Sequence, residues 1–255
     1  MNLLQSFVIA MSMYSKIPMP AVEWKKENMK YAMCFFPLVG VVIGAAVYLA
    51  GRLFFVLNCQ PFMRSAVCTL VPILISGGIH MDGFMDTMDA LASYGDKEKK
   101  LAILKDSHAG AFAILGLGCY LVWSLAVWGE IPEEVLGVAA LSFVVSRSLS
   151  GYSVVTFPAA RKNGLARTFQ DQAEKRRVQI TMLVFLVLAS AGMCAIHLRA
   201  SAGALLMEAL VFWYYKKMSI RQFGGVTGDL AGYFLEISEL AMLTGMMLTG
   251  GYLWN

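Results

Sequence analysis

Long apolar runs separated by short polar ones set the pattern of this chain. Residues 1–20 are apolar with few charges and break at Ile17-Pro18-Met19-Pro20. That stretch is short for a bilayer crossing and reads as an interfacial or re-entrant segment. Seven further runs follow, at about residues 31–57, 65–79, 111–128, 135–157, 178–198, 202–215 and 233–254. Runs approaching 20 apolar residues read as membrane helices. The expected fold is therefore all-α: a polytopic transmembrane bundle of about seven spans, forming a single integral membrane domain over residues 1–255. Gly40 and Gly44 in the first span make a small-xxx-small pair that lets another helix approach closely. The second span is expected to run straight into the acidic stretch that follows it.

The polar segments sharpen this picture. With seven crossings, the loops carrying Lys16–Lys30, Lys97–Lys105, Arg161–Arg177 and Lys216–Arg221 all fall on one side. The other side receives Arg64 and Arg199, with Arg52 near its edge and an acidic turn at Glu130. The positive-inside rule makes the basic side cytoplasmic, which predicts a multi-pass protein of the cytoplasmic membrane. Composition agrees: 58% of the 255 residues are hydrophobic, 15% are charged, and the mean hydropathy is +0.63. The net charge of +4 is modest and gives no reason to expect a nucleic-acid partner. No signal peptide stands out. Five scattered cysteines, mostly in apolar runs, argue against a disulfide framework or a zinc site.

The candidate chemistry lies between residues 77 and 110. Asp82, Asp86 and Asp89 recur at offsets of four and seven, so a helix puts all three on one face. Like charges at that spacing repel, and no Lys or Arg lies between residues 77 and 94. A divalent cation with oxygen ligands, completed by phosphates, would offset them. The plainer alternative is a hydrated helix end. A second group, Lys105-Asp106-Ser107-His108-Ala109-Gly110, precedes the third span, where Asp106 or Ser107 could equally serve as a helix cap. His108 is either an acid–base group or an interfacial side chain. A third group, Gly224-Gly225-Val226-Thr227-Gly228-Asp229, offers glycines for close phosphate approach, with Glu236 and Glu239 following. A fourth carries Arg161 and Arg167, suited to diphosphate oxygens. For Lys175-Arg176-Arg177, ordinary topogenic charge is preferred. No GxSxG, HExxH or paired CxxC occurs. Acids for a metal, cations for phosphates and an apolar chamber together suggest transfer at a phosphorus centre.

The stretch Gly77-Gly78-Ile79-His80-Met81-Asp82-Gly83-Phe84-Met85-Asp86-Thr87-Met88-Asp89 resembles the signature of the cobalamin synthase family, the adenosylcobinamide-GDP ribazoletransferases. Ile17-Pro18-Met19-Pro20, Phe36-Pro37-Leu38-Val39-Gly40, Lys105-Asp106-Ser107 and Gly225-Val226-Thr227-Gly228-Asp229 resemble its other motifs in the same order. Ala90 and Ala166 stand where glycine is common in that family. The resemblance implies that a hydroxyl of α-ribazole, or of its 5′-phosphate, attacks adenosylcobinamide-GDP and releases GMP in a Mg²⁺-dependent step at the membrane. It further implies Asp82, Asp86, Asp89 and Asp229 as metal-organising catalytic residues, with Asp106 as a supporting acid or base. His80, Lys105, Ser107, His108, Gly225, Thr227, Gly228 and Glu239 are implied as substrate- or phosphate-binding, alongside Arg161 and Arg167. Three other readings stay open: a CDP-alcohol phosphotransferase, an aspartate-rich membrane prenyltransferase, and a cation-coupled transporter. A homo-oligomer is also left open.

Overall fold

A computed structural model describes residues 3–252, most of them in α-helices. The outer residues of the first and last expected segments lie outside that range. In chain order the helices are α1 (Leu3–Tyr14), α2 (Lys26–Met29), α3 (Phe36–Val56), α4 (Pro61–Ser76), α5 (Ile79–Ala92), α6 (Lys97–Ile103), α7 (Ala111–Glu130), α8 (Leu136–Thr156), α9 (Leu165–Gln172), α10 (Lys175–Ile196), α11 (Leu198–Met218) and α12 (Gly228–Met247). Among the described residues there is no strand, only an isolated parallel bridge between Ala159 and Val226. The all-α bundle is as expected.

The seven apolar runs correspond to α3, α4, α7, α8, α10, α11 and α12. Among the described residues, four helical stretches are by length and composition fit to cross a bilayer alone: Lys26–Val56, Ala111–Glu130, Glu133–Thr156 and Lys175–Ile196. α4 and α5 qualify only as a pair, bent by 96°. α11 and α12 have the length, at 21 and 20 residues, but Glu208 in α11 and Glu236 and Glu239 in α12 lower their hydropathy. The 12-residue α1 is short for a crossing and packs against α2 and α3.

The bend between α4 and α5 corrects one expectation. The second span does not run on into the acidic stretch. Gly77 and Gly78 both adopt left-handed backbone, with φ of 66° and 77°, which glycine alone takes without penalty. Two such residues in succession end α4 and restart the chain in a new direction.

α12 is the hub of the bundle, packed against α5, α7, α8 and α11. Its buried face carries two acids and a serine that find polar partners on three of these helices. Glu239 pairs with Arg147 of α8 and accepts from Ser146 at 3.0 Å. Tyr120 of α7 hydrogen-bonds Glu236. Glu208 of α11 accepts from Ser238 at 2.5 Å. Such groups are costly inside an apolar bundle unless each is paired, so together they specify which helix faces meet. On the other side of α8, Gly40 and Gly44 do what their spacing predicts. Added side chains there would collide with the backbone of Phe143 and Ala140, so α3 lies directly on α8.

The polar loops also sort by end. Lys16 donates its backbone N–H to Ile75 at 2.7 Å, and Glu174 donates to Lys30 at 3.0 Å. Arg161 reaches the Leu101 carbonyl at 2.8 Å, and Lys100 bonds Gln222. These contacts tie the four basic segments together at one end. The opposite end holds Arg52 paired with Glu133 and Arg64 donating to the Gly129 carbonyl. This sorting matches the alternation that the charge pattern requires.

Two outcomes follow. Arg147→Leu, which strands Glu239, is expected to destabilise the protein by about 3–5 kcal/mol, whereas Arg147→Leu with Glu239→Leu recovers much of that loss. Thermal melting in detergent checks this; a double variant no better than the single would remove the pair's role. Cysteines at the exposed Lys99 and Glu134 positions should label from opposite faces of sealed vesicles. Labelling of both from one face would break the alternation.

Candidate active site

The site exists because α5 and α12 cross without side chains between them. A Cβ at Gly83 would lie 2.7 Å from the Asp229 carbonyl oxygen, and one at Gly232 would lie 2.9 Å from the His80 carbonyl oxygen. Any larger residue would push the helices apart. The crossing puts the first turn of α12, with Asp229, beside Asp82 and Asp86 of α5. The loops complete the arrangement. Val226 N–H donates to Pro158 at 2.8 Å and Ala160 N–H donates to Val226 at 3.0 Å. Gly225, at φ 151°, allows this pairing, because a side chain there would run into the Pro158 carbonyl. Arg161 is thereby delivered to Asp229, with Nη1 3.6 Å from Oδ2.

Between these elements lies a cleft of about 190 Å³. One wall is polar: Asp82, Arg161, Asn163, Arg167, Thr227 and Asp229. Thr227 caps α12, its hydroxyl accepting from Leu230 N–H at 3.1 Å and donating to Asp229 Oδ2 at 3.3 Å. Gly228, with open space beside it, exposes the positive end of α12 to the cleft. The other wall is aromatic, formed by Tyr14, Phe36, His80 and Phe169.

Negative charge is concentrated here. Asp86 is half-buried in the field of Asp82, Asp229 and Asp89, opposed by Arg161. Asp229 lies before the apolar part of α12. Burial pushes its pKa up, while Arg161 and Thr227 pull it back down. Among the described residues, no three His, Cys, Asp or Glu side chains converge closely enough to enclose a metal ion. The acidic donors at the polar wall, Asp82, Asp229 and the neighbouring Asp86, nevertheless offer oxygen. A partial oxygen set of this kind suits a hard cation that keeps water or phosphate oxygens in its shell.

Several expected site residues have other positions. Asp89 caps α7: it accepts from Gly110 N–H at 2.5 Å and from Ala113 N–H at 2.9 Å, so both its oxygens are engaged. Seven residues of helix displace its backbone by about 10 Å from that of Asp82, and its carboxylate is turned to the N-terminus of α7. Asp106 binds His108, with Oδ1 2.7 Å from Nδ1, and both are exposed. The hydrogen bonds from His108 hold Asp106 below the usual carboxylate range. Lys105 and Ser107 share that exposed turn, and none of the four lines the cleft. Glu239, ten residues along α12 from Asp229 and so about 15 Å deeper, is the core partner of Arg147 and does not line the cleft. Gly225 shapes the loop backbone and contributes no wall. His80, Asp82, Arg161, Arg167, Thr227, Gly228 and Asp229 do line it.

Sequence reasoning missed Tyr14, Phe36 and Ser150 as cleft residues; Asn163 and Phe169 lie within the candidate segment from Arg161 to Phe169, of which only the arginines were given a role. The signal of Tyr14 and Phe36 is weak, because aromatics in apolar runs read as core. Arg147 had a usable signal: a lone arginine inside an apolar span requires an acid, and Glu239 is among the few available.

Comparison with known proteins bears on what this cleft is. The family model for cobalamin-5-phosphate synthase matches residues 6–247. An adenosylcobinamide-GDP ribazoletransferase from Lachnoclostridium phytofermentans is 45% identical over 251 residues, covering 98% of this chain and 96% of that protein. One from Clostridium perfringens strain 13 is 32% identical over 244 residues, covering 95% and 96%. One from Clostridioides difficile strain 630 is 31% identical over 251 residues, covering 94% and 96%. No solved structure matches. A match across nearly the whole chain, by family model and by full-length relatives alike, makes this chain a member of the cobalamin-5-phosphate synthase family.

Proposed function

We propose that the cleft joins adenosylcobinamide-GDP to α-ribazole, or to α-ribazole 5′-phosphate, and releases GMP, the final stage of cobalamin nucleotide-loop assembly. The observation that carries this reading is the meeting of Asp82 and Asp229 with Arg161 and Arg167 at the open N-terminus of α12, in a chain of this family. Family membership favours this transfer over the phosphotransferase, prenyltransferase and transporter alternatives.

The chain's own groups divide the work. Arg161 and Arg167 bind the diphosphate oxygens, and the Thr227–Gly228 backbone at the helix end adds fixed positive dipole. Asp82, Asp86 and Asp229 would hold Mg²⁺ together with phosphate oxygens, and the ion would neutralise the diphosphate and its leaving group. A ribose hydroxyl oxygen attacks the cobinamide-side phosphorus. The new O–P bond forms as the P–O bond to GMP breaks, GMP takes the electron pair, and a cleft carboxylate accepts the hydroxyl proton. The protein contributes mostly position and charge, as is usual for transfer at phosphorus. By the positive-inside rule, the gathered basic loops favour a cytoplasmic position for this end, which would open the cleft to soluble nucleotide substrates while the apolar helices lie in a lipid bilayer.

Asp82→Asn, Asp86→Asn and Asp229→Asn should each cut GMP release by at least about 100-fold while the protein inserts and purifies. Removing charge from a crowded cluster should leave the melting temperature without metal unchanged or slightly higher. Mg²⁺ should raise the melting temperature of the unaltered protein more than that of these variants. Asp89→Ala should differ, losing about 1–2 kcal/mol of stability through the lost α7 cap, with or without metal. Full activity in EDTA, or an unchanged Mg²⁺ response in Asp82→Asn and Asp229→Asn, would end the metal reading.

Arg167→Ala should raise the KM for adenosylcobinamide-GDP by about tenfold and leave that for ribazole little changed. Steady-state kinetics with each substrate varied in turn decide this; equal effects on both would remove direct contact with the diphosphate.

A further inference from the structure

The aromatic wall of the cleft has no role in phosphate chemistry, yet four separate segments build it. Tyr14 closes α1, Phe36 opens α3, His80 lies in the first turn of α5, and Phe169 lies in α9. The Tyr14 ring lies 4.3 Å from that of Phe36, and it stacks at 6.1 Å on His80 and at 6.3 Å on Phe169. Phe36 meets His80 edge-on at 6.2 Å.

Two residues that line the cleft carry a buried polar atom left without a partner. His80 is 4% exposed, and its Nε2 is buried with no hydrogen bond. Ser150 is 1% exposed, and its Oγ is likewise unsatisfied. The other buried serines along α8 differ: Ser142, Ser146, Ser148 and Ser153 each donate to a backbone carbonyl of their own helix. Both residues line the cleft. An unmade bond at a buried donor or acceptor costs about 1–3 kcal/mol. Two of them at one apolar wall describe a pocket whose partner atoms arrive with a ligand.

We infer that this wall is the subsite for the flat base of the ribazole substrate, with the base packed on Tyr14, Phe36 and Phe169 and its ring nitrogen bonded by His80 or Ser150. The inference rests on the function proposed above and deepens it. Between them, one ring nitrogen and one ribose hydroxyl satisfy both orphaned atoms. A benzimidazole-type base has an apolar body and a single free ring nitrogen, which fits a wall with so few polar atoms. Guanine is a poorer occupant. Its several donors and acceptors would be buried here largely unpaired, and a site rejects such a group strongly. The placement leaves the polar wall for the diphosphate and brings the ribose between the two walls, where attack takes place.

The test uses the full-length protein in detergent, with ribazole binding measured by calorimetry without the second substrate, and KM measured for each substrate. Ser150→Ala and Phe169→Leu are the variants, with His80→Gln as a third that keeps a hydrogen-bonding end. Expected are a roughly tenfold weaker ribazole affinity and a matching rise in ribazole KM for Ser150→Ala and Phe169→Leu. His80→Gln should lose less than His80→Ala. The KM for adenosylcobinamide-GDP, the affinity for GMP and the melting temperature should move by less than about twofold or a few degrees. Unchanged ribazole affinity in all the variants, while the unaltered protein binds ribazole and releases GMP, would overturn this subsite and leave the proposed function standing. Weakened GMP affinity with ribazole affinity intact would assign the wall to guanine and overturn it as well. Neither binding nor GMP release by the unaltered protein would overturn the function and the subsite together.

Discussion

The contact on which the rest depends is the side-chain-free crossing of α5 and α12. Gly83 meets the Asp229 backbone and Gly232 meets that of His80, so two helices distant in sequence approach as closely as their backbones allow. The crossing converts an acidic helix face and a glycine-rich turn, each unremarkable alone, into one cluster of charge. It also fixes the neighbours. The left-handed pair Gly77–Gly78 aims α5 across α12, and the short pairing of Pro158–Ala160 with Val226 delivers Arg161 to the same place.

That arrangement stands on a buried polar framework. α12 holds α7, α8 and α11 through Glu236, Glu239 and Ser238, whose partners are Tyr120, Arg147 and Glu208. In an apolar environment such groups add little net stability, but mispairing any of them is costly. The framework therefore selects one rotational setting of α12, and with it the direction in which Asp229 and the open helix end point. Charge in the interior of the bundle sets the helix orientation.

How much of this was legible in the sequence follows from the range of each signal. Apolar runs and the spacing of basic loops are local and cumulative, so the all-α bundle and the gathering of the basic segments at one end could be read directly. Helical periodicity put Asp82, Asp86 and Asp89 on one face, but periodicity says nothing about distance along the axis. Asp89 is two turns further on, where the nearest groups are the free N–H donors of α7. Glu239 misled in the same way, because its motif sits close to Asp229 in sequence while the helix carries it into the core. Hydropathy counted seven runs but did not register the bend at Gly77–Gly78, because two glycines scarcely alter a window average. The aromatic wall was illegible for another reason. Tyr14, Phe36 and Phe169 come from three segments that only tertiary packing unites, and an orphaned Ser150 hydroxyl is a property of space, not of composition.

The central claim is that the diphosphate-bearing substrate sits where α5 crosses α12. A density map of the detergent-solubilised protein with adenosylcobinamide-GDP tests it most directly. The account requires diphosphate density within hydrogen-bond reach of Arg161, at the N-terminus of α12 and beside Asp82 and Asp229. Diphosphate density against the exposed Lys105–His108 turn instead, with the cleft empty, would contradict it.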